Sequence, residues 1–237
     1  MPTVEVKNLV KNFGTTKAVK EISFTINEGE IFGLIGPNGA GKTTALRVIS
    51  TLLQINSGEV RIMEYDVKKH PDEVRKLISY LPEDAGAYKN LTGRAYLRFI
   101  ANFFNEKNTQ KMVEKGIEIA DLGERIGDKV DTYSKGMKRR LLVGRALMTE
   151  PKLAILDEPT SGLDVINAQE IRKIIKDVAR KGTTVLLSSH NMLEVEYLCN
   201  RIALIDEGKI VEEGKPQALM EKYNANNIEE VFTRVVK

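Results

Sequence analysis

The amino-acid sequence predicts an α/β fold with a parallel central sheet, an N-terminal antiparallel β subdomain and an inserted helical lobe. Three observations carry that prediction. The first is Gly36-Pro37-Asn38-Gly39-Ala40-Gly41-Lys42-Thr43-Thr44, which matches the P-loop pattern G-x-x-x-x-G-K-[ST]. It lies between an apolar run, residues 31–35, and the opening of a helix. The second is a later apolar run, residues 153–156, that ends in the adjacent carboxylates Asp157 and Glu158. The third is the stretch from residue 83 to residue 150, where helix-period apolar residues continue with no strand pattern between them. The chain therefore reads as one domain, 1–237, with 1–82 and 151–237 as the α/β core and 83–150 as the lobe.

In chain order, residues 4–10 and 22–26 alternate apolar with polar and read as half-exposed strands. Phe13 falls in the loop between them, where an aromatic ring either stacks on a base or joins the core; position alone favours the core. Ser57-Gly58 marks a turn before a short strand over 59–63. His70 sits in a polar stretch with no partner at metal-ligand spacing and reads as a surface residue. Residues 77–81 read as a strand ending at Pro82-Glu83-Asp84. Helices follow over 91–104 and 109–122, then Tyr133-Ser134-Lys135-Gly136-Met137 and a basic helix over 138–148. Asp164 is a cap for a long helix that Gly182 ends. Residues 183–190 form another buried strand, 192–199 a short helix, and Asp206-Glu207-Gly208 turns a hairpin. Two short helices, over 217–223 and 228–235, complete the chain.

Composition narrows the class. A length of 237 residues buries a substantial core. With 29% charged and 42% hydrophobic residues the balance is ordinary, and a net charge of +3 is too small to argue for nucleic acid or anionic lipid as a partner and reads as a mixed solvated surface. Cys199 is the only cysteine, so no internal disulfide forms. No apolar run reaches the roughly 18 residues of a membrane-spanning helix, and the N-terminus lacks a basic-then-apolar leader.

The chemistry of the P-loop pattern is that of a phosphate cradle. Gly36, Gly39 and Gly41 let the backbone come close to an anion, and the following helix N-terminus adds a favourable dipole. Lys42 reaches the β- and γ-phosphates, and Thr43 offers its hydroxyl to Mg²⁺. The plainer alternative is a glycine turn between strand and helix. At the second strand end Asp157 suits Mg²⁺ and Glu158 suits an attacking water; the plainer alternative there is a solvated turn.

Taken in order, the P-loop, Tyr133–Met137, the 153–158 strand, Ser161-Gly162-Leu163-Asp164 and His190 resemble the motif series of the ATPase subunit of an ABC transporter along nearly the whole chain. The resemblance implies hydrolysis of MgATP, with Lys42, Glu158 and His190 as catalytic residues and Thr43, Asp157 and Glu83 at the metal. It implies a nucleotide site of Phe13, stacked on the base, and of Gly36, Pro37, Asn38, Gly39, Ala40, Gly41, Lys42, Thr43 and Thr44. Ser134, Lys135, Gly136 and Met137 match the signature motif, which in this family faces the ATP bound by a partner subunit. Physical chemistry agrees that Ser134 suits a helix cap whose free amides make an anion site. Asp164 matches the acid at the dimer seam, and His190 the residue that touches the γ-phosphate. The implied partners are a second copy of the chain and integral membrane subunits, with no nucleic acid and no direct membrane contact. The implied location is the cytoplasmic face of the cell membrane, and the signature and tail resemble the export and drug-resistance branch. The surface around Glu83, Tyr88 and Leu91 is expected to receive a short helix of the membrane subunit.

Three positions depart from the family pattern: Tyr133 replaces a leucine, Lys135 a glycine, and Glu83 the glutamine near the metal and water. Lys135 is expected to have ordinary backbone geometry and to point into solvent. Two rival functions are an ABC-type ATPase of translation or DNA repair and a non-catalytic nucleotide sensor. The short lobe and single cassette oppose the first; Glu158 and His190 oppose the second.

Overall fold

The computed structural model describes residues 2–104 and 109–236. The chain opens with β1 (Pro2–Phe13), β2 (Thr16–Asn27) and β3 (Ile31–Ile35), followed by α1 (Lys42–Ile49), β4 (Ser57–Ile62) and β5 (Tyr65–Asp66). Next come α2 (Pro71–Leu77), β6 (Ile78–Leu81), α3 (Gly93–Ala101), α4 (Thr109–Ala120) and α5 (Lys135–Leu147). The core resumes with β7 (Leu153–Asp157), α6 (Val165–Arg180), β8 (Thr184–Ser189), α7 (Met192–Leu198), β9 (Arg201–Asp206) and β10 (Lys209–Gly214). The last elements are α8 (Pro216–Lys222) and α9 (Ile228–Val236).

Two sheets result, ordered β2-β1-β4-β5 and β10-β9-β3-β8-β7-β6. The first is antiparallel. The second is parallel from β9 to β6, with β10 antiparallel at its edge. This is the predicted α/β architecture. Its strands β3, β7 and β8 are buried along their whole length, as a parallel sheet covered on both faces requires. Side chains alternate between the faces. Phe32, Leu34, Ile155 and Leu186 pack with α1 and the antiparallel sheet. Ile35, Leu156, Leu187 and Leu204 pack with the helices of the lobe and with α6 to α9. The segment 105–108 of the lobe lies outside the described residues.

Strand order places the chemistry. β8 lies between β3 and β7, so the P-loop and the Asp157–Glu158 pair leave the same carboxyl edge, with Ser188 and Ser189 between them. That edge is where open parallel sheets bind ligands. Among the elements that differ from expectation are α2 and β1. Residues 71–77 form α2, in a stretch read as polar surface; Pro71 at its start, Asp72 and Glu73 in the first turn and Arg75 and Lys76 in the last are helix signals. β1 runs as far as Phe13, so that ring belongs to a strand end and not to a loop.

Candidate active site

The loop after β3 exposes Pro37, Asn38 and Gly39 and buries Ala40, whose carbonyl accepts the Gly208 N–H at 3.0 Å. That bond ties the loop to the β9–β10 turn. Gly41 is the cap of α1 at φ +102°, and a Cβ there would strike the Ala18 carbonyl of β2. A Cβ at Gly36 would strike the Ile205 carbonyl of β9. Both glycines are thus demanded by backbone packed inside the fold, in addition to any approach to a phosphate. Lys42, Thr43 and Thr44 form the first turn of α1, where free amides and the helix dipole favour an anion. Lys42 is only 5% exposed. Its Nζ donates to the carbonyls of Gly36 at 2.8 Å and Pro37 at 3.1 Å, so the ammonium is held across its own loop.

The carboxylate of Asp157, 1% exposed, is surrounded by hydroxyl donors. Oδ1 accepts from Thr43 Oγ1 at 3.1 Å and Ser188 Oγ at 2.5 Å, and Oδ2 accepts from Tyr80 OH at 3.3 Å. Burial, reinforced by the Asp157 charge, pushes the Tyr80 phenol up to about 12, so it stays a donor at neutral pH. Glu158 follows in the left-handed region at φ +48°, uncommon for a side chain of its size and a mark of stored backbone strain. Its N–H donates to Ser188 Oγ at 3.0 Å. Its Oε2 lies 2.8 Å from His190 Nδ1 and accepts the His190 N–H at 3.3 Å. Its Oε1 faces Lys42 Nζ at 3.5 Å, is buried, and makes no hydrogen bond among the described residues.

Behind this edge sits Arg139, also buried. Nε donates to Pro159 O at 2.7 Å, and Nη2 to Glu158 O at 2.6 Å and Asp157 O at 3.1 Å. Nη1 donates to Glu83 O at 3.1 Å and Pro82 O at 3.4 Å. Burial draws its pKa below the ordinary arginine value, and the Glu83 and Asp157 carboxylates oppose that fall.

At the far end of the lobe Ser134 caps α5, its Oγ accepting the Met137 N–H at 3.2 Å. Asp164 caps α6, accepting from Asn167 N at 2.9 Å and Asn167 Nδ2 at 2.6 Å; those bonds hold its carboxyl below the usual range. The two helix starts abut. A Cβ at Gly136 would collide with the Asn167 side chain, and one at Gly162 with Lys135 Nζ. The Lys135 backbone is helical, as expected, but its ammonium lies against the Gly162 turn of its own chain, so solvent is not its only surrounding. Tyr133 takes the place of a leucine by burying its ring and donating its hydroxyl to Arg125 O at 2.7 Å. Glu83 also differs from expectation. Its Oε1 accepts the Ser161 hydroxyl at 3.0 Å, so the carboxylate joins the 161–164 turn and not Thr43 or Asp157.

Comparison with known proteins fits this geometry. The family model described as "ABC transporter" matches residues 19–161. The linearmycin resistance ATP-binding protein LnrL of Bacillus subtilis (strain 168) is 37% identical over 227 residues, 95% of this chain and 73% of LnrL.

The chain belongs to the ABC transporter family.

A solved ATP-binding subunit of an ABC transporter superposes with a TM-score of 0.87 at 26% identity, over 99% of this chain and 100% of that one. A dimeric ATP-binding cassette in a post-hydrolysis state with ADP and Pi gives a TM-score of 0.78 at 27% identity, over 90% of this chain and 98% of that one. The chain is thus an ATP-binding, ATP-hydrolysing subunit of the family.

Within this cassette, Phe13 is 49% exposed, which removes the core reading for its ring. It ends β1 opposite Thr16 of β2, the strand whose Ala18 abuts Gly41, and Lys11 Nζ lies 5.1 Å from its centroid. On the lobe, Leu91 is half-buried against the core, so it is no free anchor. Among the described residues of the lobe, Tyr88, Phe99, Phe103 and Phe104 are exposed, and the first three are linked edge to face with centroids 5.3 Å and 5.1 Å apart. Sequence reading missed Tyr80, Ser188 and Arg139. Two of them had a signal: Ser188 in a serine pair at the end of an all-buried strand, and Arg139 on the Gly136, Leu142, Val143, Ala146 stripe of α5.

Proposed function

We propose that this subunit powers export through separate integral membrane subunits at the cytoplasmic face of the cell membrane, working as a head-to-tail pair of copies. The observation that carries its catalytic part is Glu158. Its Oε1 is a buried, unbonded acceptor beside Lys42, and its Oε2 is fixed by His190. A carboxylate so held suits the task of orienting and polarising an attacking water. Thr43 and Asp157 present hard oxygens that share a hydrogen bond of 3.1 Å, a donor set that fits Mg²⁺, which uses few protein carboxylates beside phosphate oxygens. Mg²⁺ there would offset charge on the phosphates. Lys42 and the amides of 39–44 hold the triphosphate, His190 faces the γ-phosphate, and Phe13 stacks on the base. Ser134 and the α5 N-terminus, with Gly136 and Met137 behind them, meet the ATP of the second copy, and Asp164 lies at the seam. Export is supported by the likeness to a protein named for linearmycin resistance.

The Tyr88, Phe99 and Phe103 strip is the seat of a short helix of the membrane subunit, and Glu83, on the same β6–α3 loop as Tyr88, is bonded to Ser161 of the 161–164 turn. Phe103→Asp is expected to abolish transport in cells while the isolated subunit still hydrolyses ATP. Transport at the parent rate would remove this docking site. Phosphate release that requires Mg²⁺ and ATP tests the catalytic reading; a chain that binds ATP and releases no phosphate would be a sensor.

A further inference from the structure

We propose that Arg139 is a positioning residue that sets the backbone of Glu158 and ties it to the loop at Glu83 and to the Ser134 end of α5. The inference rests on the reading of Glu158 as the residue that activates water. Arg139 lies on the second turn of α5, about 7 Å along the axis from the Ser134 cap. The residue is 8% exposed, and the hydrogen bonds its guanidinium makes to both chain segments end on neutral carbonyls. Burying a cation costs desolvation, and carbonyl acceptors return less of it than a carboxylate would. Stability alone is therefore a poor reason for an arginine here; a hydrophobic side chain would continue the apolar stripe of the helix.

What the guanidinium supplies is geometry. Its planar fork reaches two segments at once, Pro82–Glu83 on one side and Asp157–Pro159 on the other, which a lysine ammonium cannot span with fixed directions. The Glu158 carbonyl accepts from Arg139 Nη2 at 2.6 Å and from the Ser161 N–H at 3.1 Å, while its N–H is held by Ser188. Left-handed backbone at a non-glycine residue costs free energy, and at buried Glu158 the surroundings hold it in place. Arg139 is part of what does so. The same side chain belongs to the helix that Ser134 begins, so a shift of α5 against the sheet moves the carbonyl of Glu158. One subunit thus carries a direct mechanical link between the end that meets a partner's ATP and the carboxylate that serves its own.

The test compares the parent, Glu158→Gln, Arg139→Lys and Arg139→Gln. Affinity for a fluorescent ATP analogue, KM for ATP and kcat are measured, with kcat expressed per titrated nucleotide site so that unfolded chain drops out. Arg139→Lys is expected to lose about tenfold or more in kcat, since misplacement of a reacting group by an ångström carries such losses. Its nucleotide affinity and KM should stay within about twofold of the parent, and Arg139→Gln should be slower still. A parent-like kcat in Arg139→Lys beside an inactive Glu158→Gln would overturn this proposal alone. Parent-like turnover by Glu158→Gln would remove the catalytic reading, and this proposal with it. Loss of nucleotide binding in both Arg139 variants would also overturn it, because a positioning residue leaves binding intact.

Discussion

At the carboxyl edge of the parallel sheet, Lys42, Asp157 and Glu158 are buried and fixed by contacts within the chain. At the starts of α5 and α6, Ser134, Lys135 and Asp164 are exposed, and next to them Val165 and Ile166 are 77% and 74% exposed. Both regions present helix N-termini, that of α1 capped by Gly41 without a side-chain bond and those of α5 and α6 capped by Ser134 and Asp164, in opposite environments. A buried site excludes water and strengthens every charge interaction inside it. An exposed pair of helix starts flanked by bare valine and isoleucine has the makings of half an interface. The difference teaches that the first region is finished by folding, whereas the second is suited to being finished by another molecule.

Perturbing the buried region should have the larger effects. Glu158→Gln keeps the size of the side chain and removes its charge; turnover is expected to fall at least about a hundredfold in a phosphate-release assay, with ATP still bound. Lys42→Ala should act on affinity instead, weakening triphosphate binding by about tenfold or more, because a cation facing the phosphates is lost. Phe13→Ala is expected to weaken nucleotide binding by about 1–3 kcal/mol with no fall in melting temperature, since half the ring is already in solvent. A lowered melting temperature with unchanged affinity would return Phe13 to a packing role. Tyr80→Phe removes one donor from Asp157; about a tenfold rise in the Mg²⁺ needed for half-maximal nucleotide binding is expected.

The smallest effect belongs to the exposed region. Lys135 sits on its own Gly162 turn, so Lys135→Gln in the Glu158→Gln background should alter ATP-driven association by less than about twofold at low and high salt. A large loss that is strongest at low salt would make Lys135 a phosphate ligand across the seam.

Much of this was legible in the sequence because it is written in local patterns. The P-loop spacing, the apolar run into Asp157 and the Ser134 and Asp164 caps each need only neighbours in the chain. What was not legible depends on contacts far apart in sequence. Glu83 pairs with Ser161 and Arg139 grips the 157–159 turn because α5 lies against both loops, which no spacing rule reveals. For Phe13, position alone favours the core while the family resemblance puts it on the base, and its exposure follows from β1 running on to the hairpin tip. Leu91 is expected to be an anchor from its place between the ATP core and the lobe, yet it packs against buried core residues.

The most direct test of the contrast between the two regions is the mass in solution of Glu158→Gln with and without MgATP, measured by light scattering, alongside the same protein carrying Ser134→Arg. Glu158→Gln should pass from monomer to dimer when MgATP is added, and the double variant should bind ATP with parent affinity and stay monomeric. Dimers that form equally well with Ser134→Arg, or no dimer at all from Glu158→Gln at saturating MgATP, would contradict the assignment of the α5 end to a second copy of the chain.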